Sequence, residues 1–170
     1  AVEAAYRTLW DEWREGVVPR LHRLFVAGEH AAVCRLADRL LARDATHADA
    51  LHALASLAHA AGDVAGAAAL LHRAPPRADI LSDLGVMLRT QGDLAAAERA
   101  CRDALALQPN FVAALGNLGN ILLDQARATE AESAFAAALA QTPVQPWRLR
   151  NMALALMQQQ GNQLDGLSQA

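Results

Sequence analysis

The sequence predicts an all-α solenoid: about four helical hairpins in series, preceded by a capping helix and followed by a partial fifth unit. Three observations lead there. Alanine, the best helix former, is the commonest residue. Runs of Val, Ile, Thr or aromatic residues that favour strands are missing. Turn-forming pairs at Gly28-Glu29, Gly62-Asp63 and Gly92-Asp93, with Ala126-Arg127 in the same place, recur at intervals of 34, 30 and 34 residues. Each pair closes one apolar helical stretch and opens another, so the repeating unit is a pair of helices.

Composition narrows the function classes. At 170 residues and 54% hydrophobic, the chain can bury a core as one solenoid domain over residues 1–170. Every basic residue is Arg and the net charge is −3, so no positive field draws a phosphate backbone, and nucleic acid is not an expected partner. Glu3, Arg7, Asp11, Glu12, Arg14 and Glu15 interrupt the N-terminal region, which therefore lacks the apolar core of a secretory signal. No run approaches the roughly 18 apolar residues of a membrane span, and a cytoplasmic chain without membrane insertion is expected. Cys34 and Cys101 fall at apolar helical positions, where a free thiol acts as a small hydrophobe, and no disulfide is expected.

The elements follow in order. Over residues 1–13, Tyr6, Leu9, Trp10 and Trp13 form one helical stripe that Val17 continues, which predicts a capping helix on the first hairpin; a docking surface for upstream sequence is the alternative. Residues 14–47 keep a hairpin through Val17, Leu21, Leu24, Gly28, Val33 and Leu40, although Arg20 stands where a core leucine is expected and Ala45 replaces a closing proline. Residues 48–77 keep Leu51, Leu54-Ala55, Ala67, Leu71 and Ala74, but are four residues short before Pro75-Pro76, which predicts a truncated second helix.

Residues 78–111 give the clearest unit: Leu81, Leu84-Gly85 and Leu88, then Ala97, Cys101, Ala104 and Pro109. Residues 112–145 repeat it with Leu115, Leu118-Gly119, Leu122, Ala131, Phe135, Ala138 and Pro143. The leucines give the first helix a single stripe to bury, Gly85 and Ala97 permit close approach where the helices cross, and the prolines end the second helix. Trp147, Leu149, Met152, Ala153 and Leu156 open a further unit over 146–170 that Gly161 closes with too little chain left for a partner helix. The array is expected to continue beyond Ala170, and the start at Ala1 rather than Met suggests a piece of something longer.

This pattern resembles the tetratricopeptide repeat, W-x2-L-G-x2-Y…A-x3-F…P, in a bacterial-type array covering roughly residues 14 to 161. The resemblance implies a right-handed superhelix whose first helices line a concave groove. It also implies a protein-interaction scaffold that binds an extended peptide or a partner helix and performs no chemistry. The alternative is the recruiting domain of a larger enzyme, such as a glycosyltransferase, whose catalytic region lies outside this chain. Self-association through the open end of the solenoid is a further expectation.

Nothing in the sequence has the spacing of a catalytic or cofactor site, and neither metal nor cofactor is expected. His52 and His59 share a helix face, but at i, i+7 they lie about 10 Å apart, too far for one zinc. Cys-x2-Cys, His-Glu-x2-His, G-x-S-x-G and Gly-rich phosphate loops are all missing.

The informative polar residues sit on the first helices, one place before the repeat leucine: Ala53, Asp83, Asn117 and Asn151, with Asn120 three residues on. Asparagine is mildly unfavourable inside a helix, so an amide there needs a partner, either a neighbouring helix or a bound peptide. The segment Gly116-Asn117-Leu118-Gly119-Asn120 resembles the repeats that precede the catalytic region of protein O-linked N-acetylglucosamine transferases and their bacterial relatives. In those repeats an asparagine ladder holds the backbone of an extended polypeptide. The resemblance carries that role to Asn117 and Asn151 but not to Ala53, and Asp83 departs from it. His52 and Arg89 complete the candidate groove set. Repeats that clamp chaperone C-terminal carboxylates use groove lysines; this chain has none, and Arg89, Arg148 and Arg150 do not reproduce the clamp spacing.

Overall fold

The computed structural model describes residues 16–141. Among them lie eight α-helices and no strand: α1 (Val17–Val26), α2 (His30–Leu41), α3 (Ala48–Ala60), α4 (Val64–Arg73), α5 (Ala78–Thr90), α6 (Leu94–Leu107), α7 (Val112–Asp124) and α8 (Ala128–Ala140). The expected capping helix over 1–13, the closing Pro143, the ladder residue Asn151 and the partial unit over 146–170 lie outside the described residues.

The four hairpin turns share one construction. Gly28, Gly62 and Gly92 take left-handed φ values of 73°, 86° and 86°, and Ala126 takes 59°. In each, the N–H of that residue donates to the carbonyl three residues back, and the next N–H reaches the carbonyl five back: Gly92 to Arg89 and Asp93 to Leu88, both at 3.0 Å. At the fourth turn Ala126 donates to Leu123 at 2.9 Å and Arg127 to Leu122 at 2.8 Å. The last carbonyls of one helix are thereby satisfied while the chain reverses. Asp63 and Asp93 then cap the next helix by accepting from the N–H of Gly66 at 2.8 Å and of Ala96 at 2.9 Å. These are the Gly-Asp pairs of the sequence, each residue with its own job.

Between hairpins the stops differ. Ala74 and Gln108 take extended conformations before Pro75 and Pro109, as the proline ring demands of its predecessor. After α2, where Ala45 stands in place of a proline, Asp44 does the work instead: its carboxylate accepts from the Thr46 N–H at 2.9 Å and the Thr46 hydroxyl at 2.8 Å. The Thr46 hydroxyl bond is the main reason the Asp44 carboxyl lies below its ordinary value.

The chain divides into two compact units, Ala1–Pro75 and Pro76–Ala170. In the first, α1 packs on α2 and α3, α2 on α3, and α3 on α4. Its core holds Leu21, Val33 and Leu36, with Leu24, Phe25, Leu40, Ala53 and Leu57 packed around them. Arg20 is half-buried and lines an open cleft. Helix α4 has ten residues against fourteen in α6, so the missing turn before Pro75-Pro76 comes out of the second helix.

In the second unit, α5 pairs with α6 and α7 with α8, α6 packs on α7, and α5 also touches α7 directly. This corrects the single stripe expected for a first helix. Helix α5 buries Ile80, Ser82, Leu84, Gly85, Met87 and Leu88, while Leu81 is only half-buried. A first helix here meets both its hairpin mate and the first helix of the next hairpin, so it presents apolar surface on two sides. The small residues do permit close approach. A Cβ on Gly85 would stand 2.5 Å from the Cys101 sulfur and 3.3 Å from the Ala97 carbonyl oxygen, and one on Gly119 would run into the Phe135 ring. Ala97 and Ala131 are fully enclosed.

Candidate functional site

The second unit brings four of the six candidate residues onto two touching helices. Asp83 and Arg89 belong to α5, Asn117 and Asn120 to α7, and all four are half-buried. His52 is half-buried on α3 of the first unit, and Asn151 lies outside the described residues.

Asn117 is the candidate whose surroundings say most. Its Nδ2 donates to the Ser82 hydroxyl at 3.0 Å, with the Ser82 main-chain carbonyl at 3.4 Å. The inter-helix partner is therefore real, and it is a residue that sequence reasoning passed over. Ser82 is the one buried polar side chain among the described residues, 1% exposed. Its signal in the sequence was a lone serine among apolar residues of α5, directly before Asp83.

Arg89 is also engaged within the fold. Its Nε and one terminal nitrogen meet the two carboxylate oxygens of Asp124, at 2.5 Å and 3.3 Å. The pair joins the last turns of α5 and α7, with both side chains 39% exposed. A carboxylate ligand would have to compete with Asp124 for this guanidinium.

A second polar cluster ties α6 to the α7–α8 turn. Arg127 donates to Glu98 at 2.8 Å, to the Gln125 side-chain oxygen at 2.7 Å and to both Glu130 oxygens at 2.6 and 2.7 Å. Gln125 returns an N–H to Glu98 at 3.0 Å and another contact to the Leu94 carbonyl at 3.3 Å, and Arg102 reaches Glu98 at 2.6 Å. Burial pushes the Glu98 carboxyl up, but hydrogen bonds from Arg102, Gln125 and Arg127 outweigh it and leave the group below its ordinary value. The hydrogen bond from Arg127 lowers Glu130 in turn, and the same bond raises Arg127. Only the i, i+4 pair Glu98–Arg102 and the i, i+3 pair Arg127–Glu130 were readable as helix spacings.

In the first unit, an open cleft of about 610 Å³ lies along α1 and α2. Its lining includes Leu24 and Leu36 together with Arg20, Arg35 and Arg39 and the acidic residues Glu29 and Asp38. Mixed charge of this kind selects no one ligand class.

Among the described residues, no group of three or more His, Cys, Asp and Glu is placed to hold a metal ion. Both cysteines are free thiols, and burial pushes Cys101 up to about 12, so it stays neutral near pH 7. No described helix is long and apolar enough to cross a membrane.

Residues 82–146 match the family model for the tetratricopeptide repeat. No curated protein sequence matches the chain. Among solved structures, Pseudomonas aeruginosa pilF is 22% identical with a TM-score of 0.77, over 89% of this chain and 71% of that one. YrrB, described as a TPR protein with an unusual peptide-binding site, is 19% identical with a TM-score of 0.71, over 94% and 86%. The first TPR of Spaghetti (RPAP3), solved bound to the HSP90 peptide SRMEEVD, is 17% identical with a TM-score of 0.64, over 67% and 94%. At these identities the likeness is one of fold.

Proposed function

We propose that this chain, whose residues 82–146 match the tetratricopeptide-repeat family model, is a protein-interaction scaffold that binds an extended peptide along its first helices. One observation carries the reading. Helices α5 and α7 touch directly, so that Asp83 and the pair Asn117 and Asn120 belong to adjacent helices of one unit. Helices in contact lie about 8 to 10 Å apart, a span that an extended peptide covers in about three residues. Successive ladder residues would then meet backbone groups about three residues apart on one extended strand, whatever its side chains. Two proteins of similar fold, YrrB and the first TPR of Spaghetti, are described with a peptide site and a bound peptide, which supports the same kind of ligand here.

Binding of a peptide selected from a random-sequence library on the immobilised chain tests the proposal. Each ladder hydrogen bond contributes about 0.5 to 1.5 kcal/mol net, so replacing both Asn117 and Asn151 by Ala weakens binding about five- to a hundredfold. The helical spectrum should stay intact. A double variant that binds as tightly as the parent chain would place recognition elsewhere.

A further inference from the structure

We propose that Ser82 is a positioning residue that presets Asn117 to accept a hydrogen bond from a main-chain N–H of the peptide, which excludes proline at that ligand position. The proposal rests on the peptide-groove reading above and sharpens it. An asparagine amide in the open has donors and an acceptor to offer, and could pair with both polar groups of a peptide backbone. Asn117 is not in the open. Its nitrogen lies 3.0 Å from the Ser82 hydroxyl oxygen and 3.4 Å from the Ser82 carbonyl oxygen.

The second neighbour bears on which way the amide faces. A main-chain carbonyl only accepts, so at 3.4 Å it favours the nitrogen on the Ser82 side; turned over, Oδ1 would accept from the Ser82 hydroxyl but stand against that carbonyl oxygen. Ser82 is itself 1% exposed and fixed within α5, so it offers Asn117 a stationary partner. The other arm of the amide, Oδ1, accepts no hydrogen bond among the described residues. A half-buried carbonyl oxygen held in one orientation without a donor is an acceptor kept ready for one. The matching ligand group is a backbone N–H, which every residue except proline carries. Ser82 needs no contact with the peptide to exert this effect.

The test has one arm without ligand and one with it. In the free chain, NMR should show the Asn117 side-chain NH2 close to the Ser82 Hβ protons and exchanging slowly with water, and Ser82→Ala should abolish both. If the NH2 exchanges as fast in the parent chain as in Ser82→Ala, the positioning role is wrong whatever binds. In the second arm the library-selected peptide is N-methylated one residue at a time. Methylation at one position should weaken binding about two- to tenfold on the parent chain, and have no effect on Asn117→Ala. Ser82→Ala should weaken the unmethylated peptide by a similar factor with its helical spectrum unchanged, and add nothing in the Asn117→Ala background. Weakening by Asn117→Ala without either of those couplings overturns this inference and leaves the groove reading standing. If Asn117→Ala has no effect on affinity, the groove reading falls and takes the inference with it.

Discussion

Ala126 holds a conformation that the other three hairpin turns give to glycine, with φ at 59° and its side chain exposed. A Cβ in the left-handed region crowds the following carbonyl, at roughly 1–2 kcal/mol per residue, so the two capping hydrogen bonds of this turn work against local strain. Ala126→Gly relieves it at some cost in unfolded-state entropy, and the expected net gain is about 0.5 to 1 kcal/mol, read by urea denaturation. A loss of stability would mean that the strain is not there. Ala131 presents the opposite case. It is fully enclosed on α8, one turn from the Phe135 ring that fills the space beside Gly119. Ala131→Leu has no room for its added atoms and should lower stability by about 1 to 3 kcal/mol. An unchanged melting temperature would count against the crossing geometry.

Whole helices differ in how firmly they are held. Helix α4 has ten residues and ends at Ala74, where Pro75 forbids another turn, whereas α6 runs for fourteen. Fewer buried apolar positions lie along the shorter helix: Ala67, Ala68 and Leu71 in α4, against Ala97, Ala100, Cys101 and Ala104 in α6. Local opening follows the amount of buried contact, so amides of residues 64–77 should exchange with solvent faster than those of residues 94–107. Equal protection in hydrogen-exchange mass spectrometry would show that length does not set the stability of these helices.

For the molecule as a whole, acid should reach its stability through Glu98. The folded carboxyl lies below the ordinary 4.5, so in the interval between the two values the unfolded chain binds more protons. The stabilisation is therefore present above about pH 4.5 and is lost as pH falls through the folded value. Glu98→Gln should cost about 0.5 to 1 kcal/mol at neutral pH and progressively less as pH falls below 4.5 through the folded value, which denaturant melts over a series of acid pH values would show. The same cluster marks the boundary of what can be read without coordinates. Helix periods, the Gly-Asp turns, the short helix before Pro75-Pro76 and the place of Ala126-Arg127 were all legible, since each depends on groups within a few residues of one another. The amides Asn117 and Asn120 stood out because they are ill suited to a helix interior. Their partners did not: Ser82 and Asn117 are 35 residues apart, as are Arg89 and Asp124, and Glu98 meets Arg127 across 29. By itself the sequence determined a chain of helical hairpins with its turns in place and polar residues on the first helices. Only the tertiary structure decided which polar groups hold one another and which acceptor, Asn117 Oδ1, is left over among the described residues. Periodicity and capping act along one helix, whereas hydrogen bonds between helices depend on the depth and register of their packing, which no local interaction sets.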